Sequence, residues 1–272
     1  MAGVISDVMQ SRPGLDAGAL REAVLTPGGL WRDIRVVGET GSTNADLLAA
    51  ARDGAPEGLV LVAEAQTAGR GRLGRTWASP PRTALTFSVL LRPGQVPPAR
   101  RGWVPLLAGV AIASSLRAVA SAGVTLKWPN DVLAGEAKLA GILAEQASGA
   151  IVVGTGVNVS AVREELPVPG ATSLALLGAS CLDRARLLAG MLAGIERWYL
   201  TWAGQAGDAG ASGLRPEYLG LCATLGRQVR VSMPGDRFVC GEAADVDHEG
   251  RLVVATAGGP VAVSAGDVIH VR

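Results

Sequence analysis

Thr67-Ala68-Gly69-Arg70-Gly71-Arg72-Leu73-Gly74-Arg75-Thr76-Trp77 is the stretch on which the fold turns. Gly69, Gly71 and Gly74 satisfy G-x-G-x-x-G, the fingerprint of a dinucleotide-binding strand-to-helix turn. The next residues argue against that reading. A helix would have to begin directly behind the glycines, whereas the chain runs into Arg75, Trp77, Ser79, Pro80 and Pro81, which resist one. The charge sits at the x positions instead. Arginine offers a planar fork matched to phosphate and carboxylate oxygens, and glycine lets the backbone stand open or fold over. The segment is expected to be a loop that closes over an anion; taken alone, a solvated basic loop explains it equally well.

Outward from the loop, Gly58 to Glu64 reads as an apolar strand feeding it, and Thr83 to Leu91 as a strand beyond it. Upstream, Leu15 to Leu30 fits a short helix ended by Pro27, Gly28 and Gly29. A strand at Ile34 to Val37 then leads to a helix over Ala45 to Arg52, with Thr43 and Asp46 spaced as a capping box. Downstream, a long helix runs from near Pro105 to about Ala120, and Gly123 stops it. Lys138 to Glu145 and Ile151 to Val159 read as paired strands, and Asp183 as the N-cap of a helix to about Trp202. Gly204 to Gly213 is a candidate linker or mobile loop. From Gln228 the pattern changes to short β runs between turn signals, Pro234-Gly235-Asp236, Asp247-His248-Glu249-Gly250 and Gly258-Gly259-Pro260, which fits a small barrel. Two domains are expected, residues 1–215 with a lead-in over 1–36, and residues 216–272.

Composition removes several function classes. With 272 residues, 49% hydrophobic content and a net charge of +1, the chain is globular and has no general electrostatic excess to hold nucleic acid. Cys181, Cys222 and Cys240 are odd in number and far apart, which points to reduced thiols in a cytoplasmic protein. His248 and His270, the two histidines, lie late among strand-like segments and argue against a histidine triad or a His/Cys metal cluster. Met1 to Arg21 has no basic region followed by an apolar core. Val104 to Val124 is broken by Ser114, Ser115, Arg117 and Ser121, so a core helix is expected there, not a membrane span.

Three more segments stand with the arginine loop: Gly41-Ser42-Thr43-Asn44, Lys127-Trp128-Pro129-Asn130-Asp131 with Lys138-Leu139-Ala140-Gly141-Ile142-Leu143 beyond it, and Val153-Gly154-Thr155-Gly156-Val157-Asn158. In this order the four resemble the biotin protein ligase family, over about Val37 to the C-terminus. The resemblance implies an α+β protein, with a mixed sheet and flanking helices of the class II aminoacyl-tRNA synthetase kind and a small C-terminal β-barrel of the Src-homology-3 kind. It implies a two-step reaction. Biotin and ATP, with Mg²⁺, give biotinyl-AMP and pyrophosphate, and a lysine of a biotin carboxyl carrier protein or domain then takes the biotinyl group.

The residues make physical sense of that chemistry. Driving a carboxylate against a triphosphate sets like charges about 4 Å apart, a repulsion of roughly 4 kcal/mol at an effective dielectric near 20. Fixed cations must offset it, and the resemblance makes Lys138, Arg70 and Arg72 the catalytic candidates, with Asp131 orienting Lys138 or accepting a proton from the incoming amine. It places Ser42, Thr43, Asn44 and Gln66 around biotin, together with Arg70, Gly71, Arg72 and Lys138. Arg72, Arg75, Trp77, Asn130, Gly156 and Asn158 are expected around ATP or the adenylate. No protein-held metal is expected. Plainer readings stand beside these: a solvated lysine at a strand end for Lys138, helix caps for Ser42 and Thr43, an Asn-Asp turn for Asp131, a bulged strand for Gly154 and Gly156, and core packing for Trp77 and Trp128.

Some family members carry an N-terminal helix-turn-helix and act as repressors. Only about 36 residues precede the resemblance here, so a ligase without repressor function and without nucleic acid or membrane partners is expected. A lipoate or octanoate ligase shares the catalytic architecture, but the arginine loop and the C-terminal β segment favour biotin. A biotin-binding module without catalysis is the third reading, and it would need neither the loop nor Lys138. Monomer and homodimer both stay open.

Overall fold

Thr86 and Ser88 interrupt an otherwise apolar run, and their place in the sheet explains the molecule. In the computed structural model, which describes residues 12–120, 122–233, 237–264 and 266–271, this run is β3, Ala84–Leu91, buried along its whole length. The other strands are β1 (Asp33–Val37), β2 (Leu59–Ala63), β4 (Val124–Lys127), β5 (Asp131–Ala134), β6 (Ala137–Ala147) and β7 (Ala150–Asn158). They form one sheet in the order β1-β2-β3-β7-β6-β5-β4. β1 and β2 run parallel and the remaining neighbours antiparallel, so the sheet is mixed.

The helices are α1 (Ala17–Val24), α2 (Thr43–Arg52), α3 (Trp103–Arg117), α4 (Arg184–Gly204) and α5 (Leu214–Leu221). Leu85, Phe87, Val89 and Leu91 face the large core shared with α3 and α4. Alternate residues face α2. There Leu90 and Val152 pack on Leu47, Leu48 and Ala51, and the apolar patch then gives way to Ser88 opposite Gly154 and Thr86 opposite Gly156. Period-two alternation therefore builds one apolar face and one face that turns polar partway along. The polar half is where the cleft lies.

A second sheet of β8 (Gln228–Met233), β9 (Arg237–Val246), β10 (Leu252–Thr256), β11 (Gly259–Val263) and β12 (Asp267–His270) is antiparallel in the order β11-β10-β9-β8-β12. Val229 and Val231 are buried while Gln228 and Arg230 are exposed, the alternation of a sheet with one covered face. The turn expected at Pro234-Gly235-Asp236 lies outside the described residues. Both sheets meet at tryptophans: Trp103 Nε1 donates to His248 O and Trp128 Nε1 to Gly250 O, each at 3.1 Å. Gly102 allows this approach, because a Cβ there would stand 2.4 Å from Glu249 O.

Some expectations shift. The first helix is shorter, beginning behind the Asp16 cap and ending at Val24. The Gly204 to Gly213 stretch packs as turns, with Ala209 buried and its carbonyl accepting from Arg215 N at 2.8 Å, and leads straight into α5. Among the described residues no helix is long and apolar enough to cross a membrane.

Candidate active site

One end of the cleft is made by the N-terminus of α2. Ser42 is its N-cap, with Oγ 3.5 Å from the Ala45 N–H. The helix starts earlier than expected, so the Thr43–Asp46 capping box does not form and Asp46 instead accepts from the Thr40 hydroxyl at 2.5 Å. Thr43 is thereby released toward the sheet. Its N–H and hydroxyl both reach Gln66 Oε1, at 2.8 and 3.0 Å. Ser88 Oγ lies 2.7 Å from both Thr43 Oγ1 and Asn44 Oδ1, and its single proton serves one of them at a time. Asn44 Nδ2 donates to Leu143 O at 3.1 Å and to Glu145 Oε2 at 2.8 Å. A Cβ on Gly154 would fall 2.2 Å from Asn44 Oδ1, so the asparagine reaches this position because the strand beneath it has no side chain.

The middle of the cleft has a glycine floor. Gly141 and Gly156 are paired across β6 and β7, and the Trp77 indole lies on Gly156, where a Cβ would come within 2.3 Å of the ring. Lys138 arrives here through a β-bulge. In an unbroken β6, Lys138 would face away from Gly141. The register slips between Val132 and Leu133, Leu139 goes into the core, and Lys138 Nζ ends 3.2 Å from where a Gly141 Cβ would be. Asp131 Oδ1 is 2.6 Å from Lys138 Nζ, an ion pair by distance more than an aligned hydrogen bond. Asp131 opens β5, a strand that the Asn-Asp turn reading did not foresee.

Over this floor folds the arginine loop. No α-helix follows its glycines, only a single 3-10 turn over Arg72–Gly74. Arg70 and Thr76 form an antiparallel bridge, Gly71 N donates to Arg75 O at 2.7 Å, and Trp77 N to Gly69 O at 2.9 Å. Gly69 is required where it stands, since a Cβ would meet Trp77 O at 2.3 Å. Arg70 Nη1 lies 3.9 Å from Glu145 Oε1. Arg72 donates to Asn130 Oδ1 at 3.1 Å and to Gly266 O at 3.2 Å, tying the loop to both sheets. The loop lines two cavities, an inner cleft of about 300 Å³ and an outer one of about 1010 Å³ that reaches Glu249, Gly250 and Arg251.

At the other end stands Asn158, whose Nδ2 donates to Thr172 O at 2.9 Å. Pro167, Val168 and Ala171 of the following loop close the inner cleft there. That loop pairs with the backbone of Lys138, Lys138 N donating to Gly170 O at 2.8 Å and Thr172 N to Lys138 O at 2.9 Å.

The structure thus brings Ser42, Thr43, Asn44, Gln66, Arg70, Gly71, Arg72, Arg75, Trp77, Asn130, Asp131, Lys138, Gly156 and Asn158 around one cleft. Trp128 is 1% exposed and belongs to the junction between the sheets. Sequence reasoning missed Ser88, Glu145 and the Pro167 to Ala171 wall. The polar pair Thr86 and Ser88 inside an apolar strand was a usable signal for the first. The other two had none, because their roles come from residues distant in sequence. Among the described residues no group of three His, Cys, Asp or Glu side chains is placed to hold a metal ion.

Two family models match separate parts of the chain. Residues 40–160 match the biotin/lipoate A/B protein ligase family, and residues 224–271 match the biotin protein ligase C-terminal domain. The biotin--[acetyl-CoA-carboxylase] ligase of Mycobacterium tuberculosis is 45% identical over 98% of this chain and 100% of its own. A bifunctional ligase/repressor of Bacillus spizizenii is 30% identical over 86% of this chain and 71% of its own. Among solved structures, the biotin protein ligase of Aquifex aeolicus in complex with biotin and ATP superposes with a TM-score of 0.74 at 27% identity, covering 89% of this chain and 100% of that one.

Proposed function

The chain belongs to the biotin/lipoate A/B protein ligase family, and from that premise we propose which part of the cleft serves which half of the reaction. The activity is that of a biotin--[acetyl-CoA-carboxylase] ligase: the biotin carboxylate attacks the α-phosphorus of ATP, pyrophosphate leaves, and the resulting biotinyl-AMP is the acyl donor. A carrier lysine amine then attacks the acyl carbon, AMP departs, and the amine gives up a proton. No enzyme nucleophile is needed.

The observation that carries the assignment is the order of groups along β7. Gly154 lies under Asn44, Gly156 under Trp77 and beside Lys138, and Asn158 at the far wall. The four rises from Gly154 to Asn158 cover roughly 13 Å, so these three positions stand in sequence along the cleft floor. The ureido ring, with two donors and one acceptor, goes to Ser42, Thr43 and Gln66. There a buried polar network rejects an acyl chain that cannot pair with it. Lys138 sits where carboxylate and α-phosphate meet, and Asp131 fixes its ammonium. Arg70, Gly71, Arg72 and Arg75 close over the reacting centre and keep water from the mixed anhydride, while Trp77, Asn130, Gly156 and Asn158 line the nucleotide half. Magnesium would arrive on the triphosphate, held chiefly by phosphate oxygens and balancing their charge.

The biotin carboxyl carrier protein or domain is the second substrate. Repression of transcription is not part of this reading, which the net charge of +1 supports. Cys181, Cys222 and Cys240 are free thiols, which supports a cytoplasmic setting. Mixing the protein with biotin, Mg·ATP and a carrier domain tests the reading: the carrier should gain the mass of one biotinyl group. ATP–pyrophosphate exchange supported by lipoate and not by biotin would overturn it.

A further inference from the structure

Arg12, just ahead of α1, has no place in the chemistry above, yet its side chain is 15% exposed and reaches across 153 positions of chain. Its guanidinium grips Glu165 with both ends, Nη1 to Oε1 at 3.0 Å and Nη2 to Oε2 at 2.8 Å, and touches Ser160 O at 3.3 Å. Glu165 Oε2 also accepts from Val162 N at 3.0 Å, inside the segment 161–171 whose Pro167, Val168 and Ala171 wall the inner cleft. Arg12 is itself held. Pro13 O accepts from Arg184 at 2.7 Å, Leu15 N donates to Glu64 Oε1 at 2.6 Å, and Arg184 and Glu64 form a buried ion pair beside β2.

A forked arginine fixes direction as well as distance, because two parallel bonds to one carboxylate leave little rotation. Within the segment Arg163 Nη1 donates to Ala171 O at 2.9 Å, and among the described residues the other ties to the rest of the fold lie at its ends: Ser173 Oγ donates to Ala161 O at 2.6 Å, and Gly170 and Thr172 pair with Lys138. Between these ends the segment would be a closed loop free to swing from the cleft.

We propose that Arg12 is a positioning residue for the nucleotide half of the site, latching the 161–171 wall against the cleft through Glu165. The inference rests on the assignment of the Asn158 end to ATP. It separates Arg12 from the biotin end, whose hydrogen bonds it does not touch.

Steady-state rates with ATP and biotin varied separately test this. Arg12→Gln should raise the KM for ATP about fivefold, in line with a partly exposed forked pair, with the KM for biotin unchanged. Arg12→Lys, which keeps charge and loses the fork, should fall between. Glu165→Gln should match Arg12→Gln, and the double variant should be no worse than either single one. Amide exchange over residues 162–171 should quicken in Arg12→Gln while α2 stays protected. Should Arg12→Gln fail to fold, Glu165→Gln carries the same readings. An unchanged KM for ATP, or a parallel rise for biotin, overturns the latch. Wild-type protein that cannot activate biotin with ATP at all would instead overturn the functional assignment beneath it.

Discussion

At the α2 end of the cleft, Thr43, Asn44 and Ser88 hold one another inside a single helix-on-sheet layer, whereas toward the nucleotide half the walls are loops tied in from distant parts of the chain by Arg12 and Arg72. At the first, burial is nearly complete and each contact depends on its neighbour. At the second, single partly exposed arginine side chains carry the geometry. A specific small acid calls for the first arrangement, since a buried, paired network discriminates strongly. A substrate that must enter and a product that must leave call for the second, because weakly held walls open at little cost.

Lys138→Ala strikes between the two ends and should have the largest effect. Removing one preorganised charge from the reacting centre should slow adenylate formation about 10²- to 10³-fold in single-turnover assays, with thermal stability close to wild type. A wild-type rate would remove Lys138 from the centre.

Gly154→Ala attacks the built end. The added methyl would fall 2.2 Å from Asn44 Oδ1, so α2 or β7 must shift, at about 1–3 kcal/mol of stability in denaturant unfolding. The KM for biotin should rise more than that for ATP; equal rises would show that the two ends are not mechanically separate.

Arg72→Ala attacks the tied end. Loss of its bonds to Asn130 and Gly266 should shorten the lifetime of enzyme-bound adenylate roughly tenfold, about the worth of one charge-assisted hydrogen bond. Quenched-flow release measurements read that lifetime directly, and an unchanged value would leave the loop without a shielding role.

Acid should produce the smallest effect, confined to the tied end. Hydrogen bonding from Arg12 holds the Glu165 carboxyl below its ordinary value of 4.5, against the opposing pull of burial. A depressed carboxylate pKa stabilises the folded wall at every pH above that ordinary value, and the contribution is lost as pH falls through the lower folded one. Amide exchange of residues 162–171 should therefore quicken in mild acid before that of α2. Simultaneous loosening would mean that Glu165 contributes nothing local.

Much of the fold was legible in the chain. Apolar runs located β2, β3, β6 and β7, and Asp183 capped α4 as its side chain required. The four motifs, together with Gln66, converge on one cleft in the fold. The α2 cap was misread by one residue because Ser42 and Thr43 are equally good caps in sequence, and only packing against Ser88 and Gln66 chose between them. β5 escaped notice because four residues after a proline carry too little periodicity to be read as a strand.

The sequence by itself determined the arginine-glycine loop, the strands that flank it and the residue types gathered for carboxyl activation, since these arise from local charge, backbone freedom and a period of two. Only the tertiary structure decided that Lys138 faces the cleft and that Arg12 grips the segment walling it. The first depends on a one-residue register slip between β5 and β6, and the second on an ion pair spanning more than half the chain. Neither leaves a local pattern, because each is fixed by what lies across the fold and not by what lies beside it along the chain.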